Sequence, residues 1–180
     1  MPNPSESLLA GRPEDAPGTC VTCVMEGVRP VLAEIQALVV PSSFGNPRRV
    51  SNGVEYNRAM LLLAVLEKRG GLLLGNCDAY LNVIGGLSLD EPAADLAAML
   101  ALASSFRDKP VPSDLAAIGE VGLTGELRAV SNLGQRLSEV RRLGFTKCLI
   151  PKRIQGKLAA PEGLELIRVA NIREALAALL

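Results

Sequence analysis

Histidine is absent from this 180-residue sequence, and aromatic residues make up only 3% of it. The hydrophobic core must therefore be filled by Leu, Val, Ile and Ala, and few rings are left on which nucleic-acid bases could stack. Cys20 and Cys23 form a Cys-x-x-Cys pair, but no second pair and no histidine complete a zinc site. They lie in a strand-like run, where residues three apart face opposite sides. We interpret them as buried hydrophobic residues and predict no metal site.

A long apolar run and an excess of one charge are also lacking. The longest apolar run, residues 59–66, is too short to span a bilayer. The first residues do not show the basic and then apolar pattern of a signal peptide. Lys plus Arg and Asp plus Glu number 19 each, so net charge gives no argument for a nucleic-acid partner. We expect a cytoplasmic protein without a membrane partner, in which only the distribution of charge can indicate DNA binding.

Strand-like and helix-like stretches alternate along the chain, which predicts an α/β (α+β) fold. Residues 1–18 contain four Pro and two Gly without periodicity. They predict a linker or extended tail, followed by a single domain over residues 19–180. A beginning of this kind leads us to expect the C-terminal piece of a longer protein.

Within the domain, β-rich runs at 19–25 and 31–40 predict a hairpin, followed by a loop that carries Arg48 and Arg49. Ser51 or Asn52 is expected to cap the next helix, which ends near residue 68. The remaining predictions are strands at 79–84, 147–150 and 164–169, a hairpin over 115–130, and helices from Pro92 to about residue 106, at 132–143 and at 172–180.

Short motifs spread over nearly the whole chain are typical of one family. They are Asn3-Pro4-Ser5-Glu6, Glu26-Gly27-Val28-Arg29-Pro30, Glu34-Ile35-Gln36-Ala37-Leu38-Val39, Asn46-Pro47-Arg48-Arg49-Val50, Asn57-Arg58 and Gly119-Glu120-Val121-Gly122-Leu123. On these motifs the sequence resembles the C-terminal Lon-like domain of the RadA (Sms) family of bacterial, RecA-related DNA repair proteins. From about residue 18 to the end, the order of segments resembles the Lon-type protease domain.

The resemblance implies a Lon-type proteolytic domain fold, related to the ribosomal protein S5 domain 2-like superfamily. The full-length family is a DNA-dependent ATPase and helicase, with a Cys-rich zinc element and a RecA-like ATPase before this domain. No Gly-x-x-x-x-Gly-Lys-Ser/Thr occurs in the present sequence, so it has no P-loop. We therefore expect no cofactor in this chain, and ATP, Mg²⁺ and Zn²⁺ only in the N-terminal domains of the family.

The catalytic residues of the resembled protease are replaced at both positions. Lon-type proteolysis uses a Ser–Lys dyad, in which the lysine takes the proton of the attacking serine. The serine lies at a helix start in an Asp-Gly-Pro-Ser-Ala-Gly pattern, where this chain has Ala93, and the lysine position falls on Gly134. No lysine is placed to serve Ser88 or Ser131. The chain is thus predicted not to be an enzyme, and an active Ser–Lys peptidase is the least favoured interpretation.

Basic residues are concentrated in one part of the chain. Residues 128–157 hold eight of them and a single acid, Glu139; the eight are Arg128, Arg136, Arg141, Arg142, Lys147, Lys152, Arg153 and Lys157. A patch of this kind can follow a phosphate backbone. The alternative is a solvated helix face, or salt bridges across a subunit interface.

The resemblance adds a function to this charge pattern. It implies contact with single- and double-stranded DNA, assembly into a hexameric ring, RecA as a further candidate partner, and a place in the bacterial nucleoid. The candidate DNA-binding residues lie on a Pro-bounded loop, in or after helices, and before a short strand; they are Arg48, Arg49, Arg58, Arg107, Lys109 and Lys147. A purely structural ring-former without DNA contact remains the alternative.

Overall fold

The computed structural model describes residues 4–43 and 45–180. In chain order the elements are α1 (Pro4–Leu9), β1 (Thr19–Glu26), β2 (Arg29–Pro41), β3 (Arg49–Asn52), α2 (Tyr56–Lys68), β4 (Cys77–Val83), α3 (Asp95–Arg107), β5 (Leu115–Ala117), β6 (Glu120–Val121), β7 (Leu127–Arg128), α4 (Leu133–Arg142), β8 (Lys147–Pro151), β9 (Glu165–Val169) and α5 (Ile172–Leu179). Strands and helices alternate, so the predicted α/β class is confirmed.

Seven strands form one central sheet in the order β3-β4-β2-β1-β5-β8-β9. Every strand of this sheet except β2 runs in the same direction, because β2 pairs antiparallel with both β1 and β4 and the other pairings are parallel. The sheet therefore has an amino-terminal edge, where the six parallel strands begin, and a carboxyl-terminal edge, where they end. β6 and β7 form a separate small hairpin.

Two hydrophobic cores lie on the two faces of the sheet. One joins the sheet to α2, α3 and α5, and the other joins it to α4. Cys20 belongs to the first core and Cys23 to the second, as the strand spacing predicted. Burial raises the pKa of each of these two thiols to about 12, so both are protonated at neutral pH.

Helix α3 crosses the first face from one edge of the sheet to the other. At its start, Gly119, just after β5, donates from its backbone N–H to the carbonyl oxygen of Ala93 at 2.9 Å. Near its end, the Ser104 hydroxyl oxygen accepts from the backbone N–H of Gly18 at 2.9 Å, just before β1 begins. The helix start therefore lies at the carboxyl-terminal edge, and the helix end lies at the amino-terminal edge.

Two local predictions are wrong around residues 49–58. The predicted loop contains a short strand, β3, which pairs in parallel with β4. The cap of α2 is Glu55, whose carboxylate accepts from the backbone N–H groups of Asn57 at 3.1 Å and Arg58 at 2.8 Å. Ser51 is not available for that role, because its hydroxyl donates to the carbonyl oxygen of Val54 at 2.6 Å.

The N-terminal segment also differs from the predicted extended tail. Pro4–Leu9 is helical, and the buried Ser5 fixes this helix by donating to a carboxylate oxygen of Glu139 and accepting from the N–H of Leu32, both at 2.9 Å. Arg12 then donates to the carbonyl oxygen of Ser113 at 2.7 Å. Residues 1–3 of the predicted tail lie outside the described residues.

We predict that Ser5→Ala lowers the free energy of unfolding by about 1–3 kcal/mol, because it leaves the buried Leu32 N–H without its acceptor. Urea unfolding measures the difference. Ser7→Ala is the matched control, since Ser7 is exposed on the same helix and its loss should cost less than about 0.5 kcal/mol. Equal effects of the two variants would contradict the docking role of Ser5.

The same contact should depend on pH. Burial alone would raise the pKa of Glu139, but hydrogen bonds from Arg142 and Ser5 outweigh burial and hold that pKa below its ordinary 4.5. The ionised carboxylate therefore stabilises the fold above pH 4.5, and this contribution is lost as the pH falls through the lower folded-state value. The stability difference between the parent and Glu139→Gln should be largest near pH 7 and should shrink below about pH 4.5.

Candidate functional site

Ala93 lies in a single 3₁₀ turn, Pro92–Ala94, that leads directly into α3. It is only 4% exposed, and its methyl group belongs to the core beneath α4, which also contains Ile118 and Leu133. The methyl group therefore fills a closed apolar site at the position predicted for a nucleophile. It offers no group that could attack a carbonyl carbon.

Gly134 is the second residue of α4, and it is exposed. A Cβ atom built on it would meet no other atom within 4 Å, so the backbone there does not require glycine. The residue borders a cavity of about 470 Å³ that Ser138 and Lys157 also line. No hydrogen bond joins these two side chains in the described part of the chain.

A buried ion pair connects the start of α3 to α2. The Asp95 carboxylate accepts from Arg58 Nε at 3.0 Å and from the backbone N–H of Val121 at 3.0 Å, and it forms a second, short contact with Arg58 Nη2. Burial raises the pKa of Asp95, and the hydrogen bonds from Arg58 and Val121 oppose that shift. The bond to Asp95 in turn raises the pKa of Arg58, so the pair joins α2, α3 and β6.

A second pair joins the opposite side of the same helix start to α4. Arg136 is 1% exposed and donates to both carboxylate oxygens of Glu91, the contact of its Nη2 being 3.1 Å. It also donates to the carbonyl oxygens of Cys23 at 2.9 Å and Ser131 at 2.8 Å. Glu91 accepts in addition from the Met25 N–H at 2.9 Å. Arg136 is thus bound to partners inside the domain, and its charge does not contribute to the predicted basic patch of residues 128–157.

A cavity of about 310 Å³ opens beside Ala93, the position predicted for the nucleophile, between the starts of α2 and α3. Its walls are mainly apolar, and its charged members are four carboxylates and one guanidinium. The apolar lining residues are Val54, Leu62, Leu89, Pro92, Ala94 and Ala98. The charged lining residues are Glu55, Arg58, Asp90, Glu91 and Asp95. An acidic, apolar cavity repels phosphate, so it does not suit a nucleic acid.

The six predicted DNA-binding residues do not form one cluster. Arg58 lies at the carboxyl-terminal edge in the ion pair with Asp95, and Arg49 donates to the carbonyl oxygens of Cys77 at 2.8 Å and Leu74 at 3.0 Å. These two guanidinium groups are held by the protein itself. The other four lie at the amino-terminal edge; they are Arg48, Arg107, Lys109 and Lys147.

Their side chains differ in what they contact. Lys109 Nζ donates to the carbonyl oxygen of Leu180 at 3.4 Å, whereas Arg48 and Arg107 are exposed and their side chains have no hydrogen bond or ion pair among the described residues. From β3 to β8 the sheet is five strand spacings wide, about 24 Å. The amino-terminal edge therefore presents separated positive charges and not one compact patch.

Internal contacts also reduce the number of basic side chains in residues 128–157 that are available to a partner. Arg128 pairs with Glu126 at 2.9 Å and Arg142 with Glu139 at 2.7 Å, while Arg141 donates to the Glu162 carbonyl oxygen. Three exposed side chains without a partner among the described residues follow β8 on one loop; they are Lys152, Arg153 and Lys157. They lie at the carboxyl-terminal edge, and we call them the basic loop.

The helix start after Pro92, the adjoining hairpin and the strands that follow define a protease-type domain in which the nucleophile position holds alanine. The chain belongs to the family of the Lon protease (S16) C-terminal proteolytic domain, which matches residues 78–180. This result confirms the resemblance seen in the sequence and the expected Lon-type fold.

The relatives of the chain are DNA repair proteins. It is 55% identical over 174 residues to the DNA repair protein RadA of Bacillus subtilis, 49% to that of Streptococcus pneumoniae and 52% to that of Listeria monocytogenes. Each match covers 97% of this chain but only 38%, 41% and 38% of the respective relative. The chain thus spans about two fifths of the length of these curated relatives.

Residues 4–43 and 45–180 contain neither a metal-binding cluster nor a membrane-spanning helix. In those ranges no three or more His, Cys, Asp and Glu side chains are grouped so that they could hold a metal ion. No helix there combines the length and apolar character needed to cross a bilayer.

We predict that Arg58→Met destabilises the fold by about 3 kcal/mol at pH 7, because it leaves the buried Asp95 carboxylate without its cation. The loss should become smaller as the pH falls, since a protonated Asp95 needs no positive partner. Urea unfolding at pH 7 and pH 4 tests both statements. Arg48→Met is the control and should change stability by less than about 0.5 kcal/mol. A loss independent of pH would argue against the ion pair as its cause.

Proposed function

We propose that this chain is a non-proteolytic Lon-like domain that binds DNA through the phosphate backbone and assembles into a ring within a DNA repair protein. The observation that supports DNA binding best is the basic loop, where three exposed cations have no partner among the described residues. The names of the relatives, which are DNA repair proteins, support this proposal. A location at DNA in the bacterial nucleoid, and ATP and Mg²⁺ use by regions outside this chain, belong to the same proposal.

The loss of proteolysis rests on the arrangement at both dyad positions. Ala93 fills a closed apolar site, and Gly134 supplies no base. Among the described residues, Ser138 and Lys157 share a cavity, but α4 holds the serine and a loop holds the lysine without a bond between them. A serine is activated only when a base lies within hydrogen-bond distance of its hydroxyl.

We expect no hydrolysis of casein or of short fluorogenic peptides above a buffer control. The assay should include Ser88→Ala, Ser131→Ala and Ser138→Ala, since these are the exposed serines nearest to the two dyad positions in sequence. Hydrolysis by the parent that disappears in any one of these variants would show a working peptidase and would refute the proposal.

DNA contact through the basic loop should be weak in each subunit and independent of sequence. Lys152, Arg153 and Lys157 can each neutralise one phosphate, and only three Phe and two Tyr exist for stacking on bases. A ring links several weak contacts, so the assembled form should bind far better than one subunit. Arg48 and Arg107 at the opposite edge supply a second, sparser set of free charges.

We predict that reversing the three basic-loop charges to Glu weakens binding to single- and double-stranded DNA by at least about tenfold and lowers the slope of log affinity against log salt by two to three. Fluorescence anisotropy at several salt concentrations measures both quantities. The comparison variant is Arg48→Glu with Arg107→Glu, for which we expect a smaller loss. Light scattering first establishes that each variant keeps the assembly of the parent.

A purely structural ring-former is the second candidate, and one observation favours it. Most arginines near the site are engaged within the domain, as Arg49, Arg58, Arg128, Arg136 and Arg142 show. If both charge-reversal variants bind DNA as the parent does, the scaffold becomes the better account, and contact with DNA or with RecA falls to the missing regions.

A further inference from the structure

The two ends of α2 carry surfaces of opposite charge. At its start lies the acidic cavity described above, which we call the acidic pocket. Near its end lie Leu73 of the segment that follows the helix, Lys68 and Arg69 at the helix end, and Arg173 of α5. We call this group the basic knob.

Leu73 is the centre of the basic knob. Its side chain is 80% exposed, whereas its neighbours Leu72 and Leu74 are buried at 2% and 1%. Burying an apolar side chain this exposed in a contact would be favourable, since it removes apolar surface from water. Lys68 and Arg69 at the end of α2 and Arg173 of α5 are exposed, and so is the acid Glu67, whose carboxylate accepts from the Leu74 N–H. Three cations against one carboxylate leave this end of the helix with a net positive charge.

Hydrogen bonds hold the backbone on both sides of Leu73, and on the first side the Leu72 N–H donates to the Leu66 carbonyl oxygen at 3.3 Å. The Leu74 N–H donates to the Glu67 carboxylate at 3.1 Å, and the Leu74 carbonyl oxygen accepts from Arg49 at 3.0 Å. Arg173 Nη2 donates to the Arg69 carbonyl oxygen at 3.2 Å, which places α5 beside the end of α2. A preorganised apolar side chain loses little entropy when it enters a pocket.

The acidic pocket matches the knob in both polarity and charge. Its apolar walls suit a leucine side chain, and two of its carboxylates, Asp95 and Glu91, are neutralised by Arg58 and Arg136. Glu55 and the exposed Asp90 remain at its rim, and neither forms an ion pair among the described residues. Glu55 caps α2 through backbone N–H groups, which leaves its negative charge in place.

One copy of the chain cannot place its own knob in its own pocket. The two surfaces lie at opposite ends of a 13-residue helix, about 20 Å apart at 1.5 Å per residue. Opposite charges around an apolar centre nevertheless fit each other and fix the register of a contact. The occupant that the geometry supplies is therefore a second copy of this chain.

We propose that the basic knob of one subunit docks into the acidic pocket of the next, with Leu73 as its apolar anchor. The contact is head-to-tail, and such heterologous contacts close into rings when the rotation between subunits fits. The inference rests on the ring assembly proposed above and names the surfaces that form it. It also places Ala93, the position predicted for the nucleophile, at a subunit boundary.

Leu73→Asp tests the anchor, with Leu38→Asp as the matched control. Leu38 is an exposed leucine of β2, 56% accessible, in register with Tyr80 of β4 and outside both proposed surfaces. Light scattering over a concentration series should show that Leu73→Asp raises the concentration of half-dissociation at least tenfold, while the control assembles as the parent does. Circular dichroism and urea unfolding confirm that both variants remain folded.

Charge exchange tests the pairing directly and does not depend on one variant. Asp90→Lys in one preparation and Lys68→Glu with Arg69→Glu in another should each assemble poorly alone. Mixed in equal amounts they should recover the ring, because each reversed pocket then meets a reversed knob and each unchanged pocket an unchanged knob. Recovery supports the proposal, and its failure overturns it.

The outcomes separate this inference from the proposed function. A parent that assembles while Leu73→Asp assembles equally well overturns only the knob-and-pocket contact, and the ring stands on other surfaces. A parent that stays monomeric at every concentration overturns the ring itself, and with it this contact.

Discussion

The functional region depends on the ion pair between the buried guanidinium of Arg136 and the carboxylate of Glu91. A charge that is 1% exposed is tolerated only when carboxylate and carbonyl oxygens surround it, and here Glu91, Cys23 and Ser131 supply them. These partners belong to the loop before α3, to β1 and to the segment before α4. The pair therefore fixes the relative positions of the two dyad positions, Ala93 and Gly134, although neither carries a reactive group. Removing Glu91 would leave the buried guanidinium of Arg136 without its carboxylate, which is strongly destabilising.

The second pair, Arg58 with Asp95, has the complementary effect on the opposite side of the helix start. It closes the floor of the acidic pocket and keeps α2 beside α3. Arg58 and Arg136 both belong to sets of basic residues for which the sequence suggested contact with DNA. Among the predicted DNA-binding residues and the basic run, the exposed cations whose side chains have no partner in the described part of the chain lie at the two edges of the sheet; they are Arg48, Arg107, Lys152, Arg153 and Lys157. The internal ion pairs thus decide which basic residues remain exposed.

Much of the fold follows from local sequence signals. Pro92 and the apolar run behind it predict α3, and the spacing of Leu133, Leu137 and Val140 predicts α4. The errors fall where tertiary contacts decide. α1 has only six residues and is held by Ser5, and β3 forms because β4 offers a partner. Arg136 could have been found, because it lies three residues after Leu133 and four before Val140, on the buried face of the helix. The carbonyl partners of Arg49 could not, since they come from residues 25 and 28 positions away.

The unequal surroundings of Ala93 and Gly134 bear on how a Ser–Lys dyad could be built at these two positions. A longer side chain at position 134 would extend into open space, so restoring a base is sterically free. A hydroxyl at position 93 would instead be enclosed by hydrocarbon, where an unsatisfied polar group carries a desolvation penalty. A hydroxyl at position 93 would therefore require changes in the surrounding core as well, whereas position 134 would accept a longer side chain as it stands.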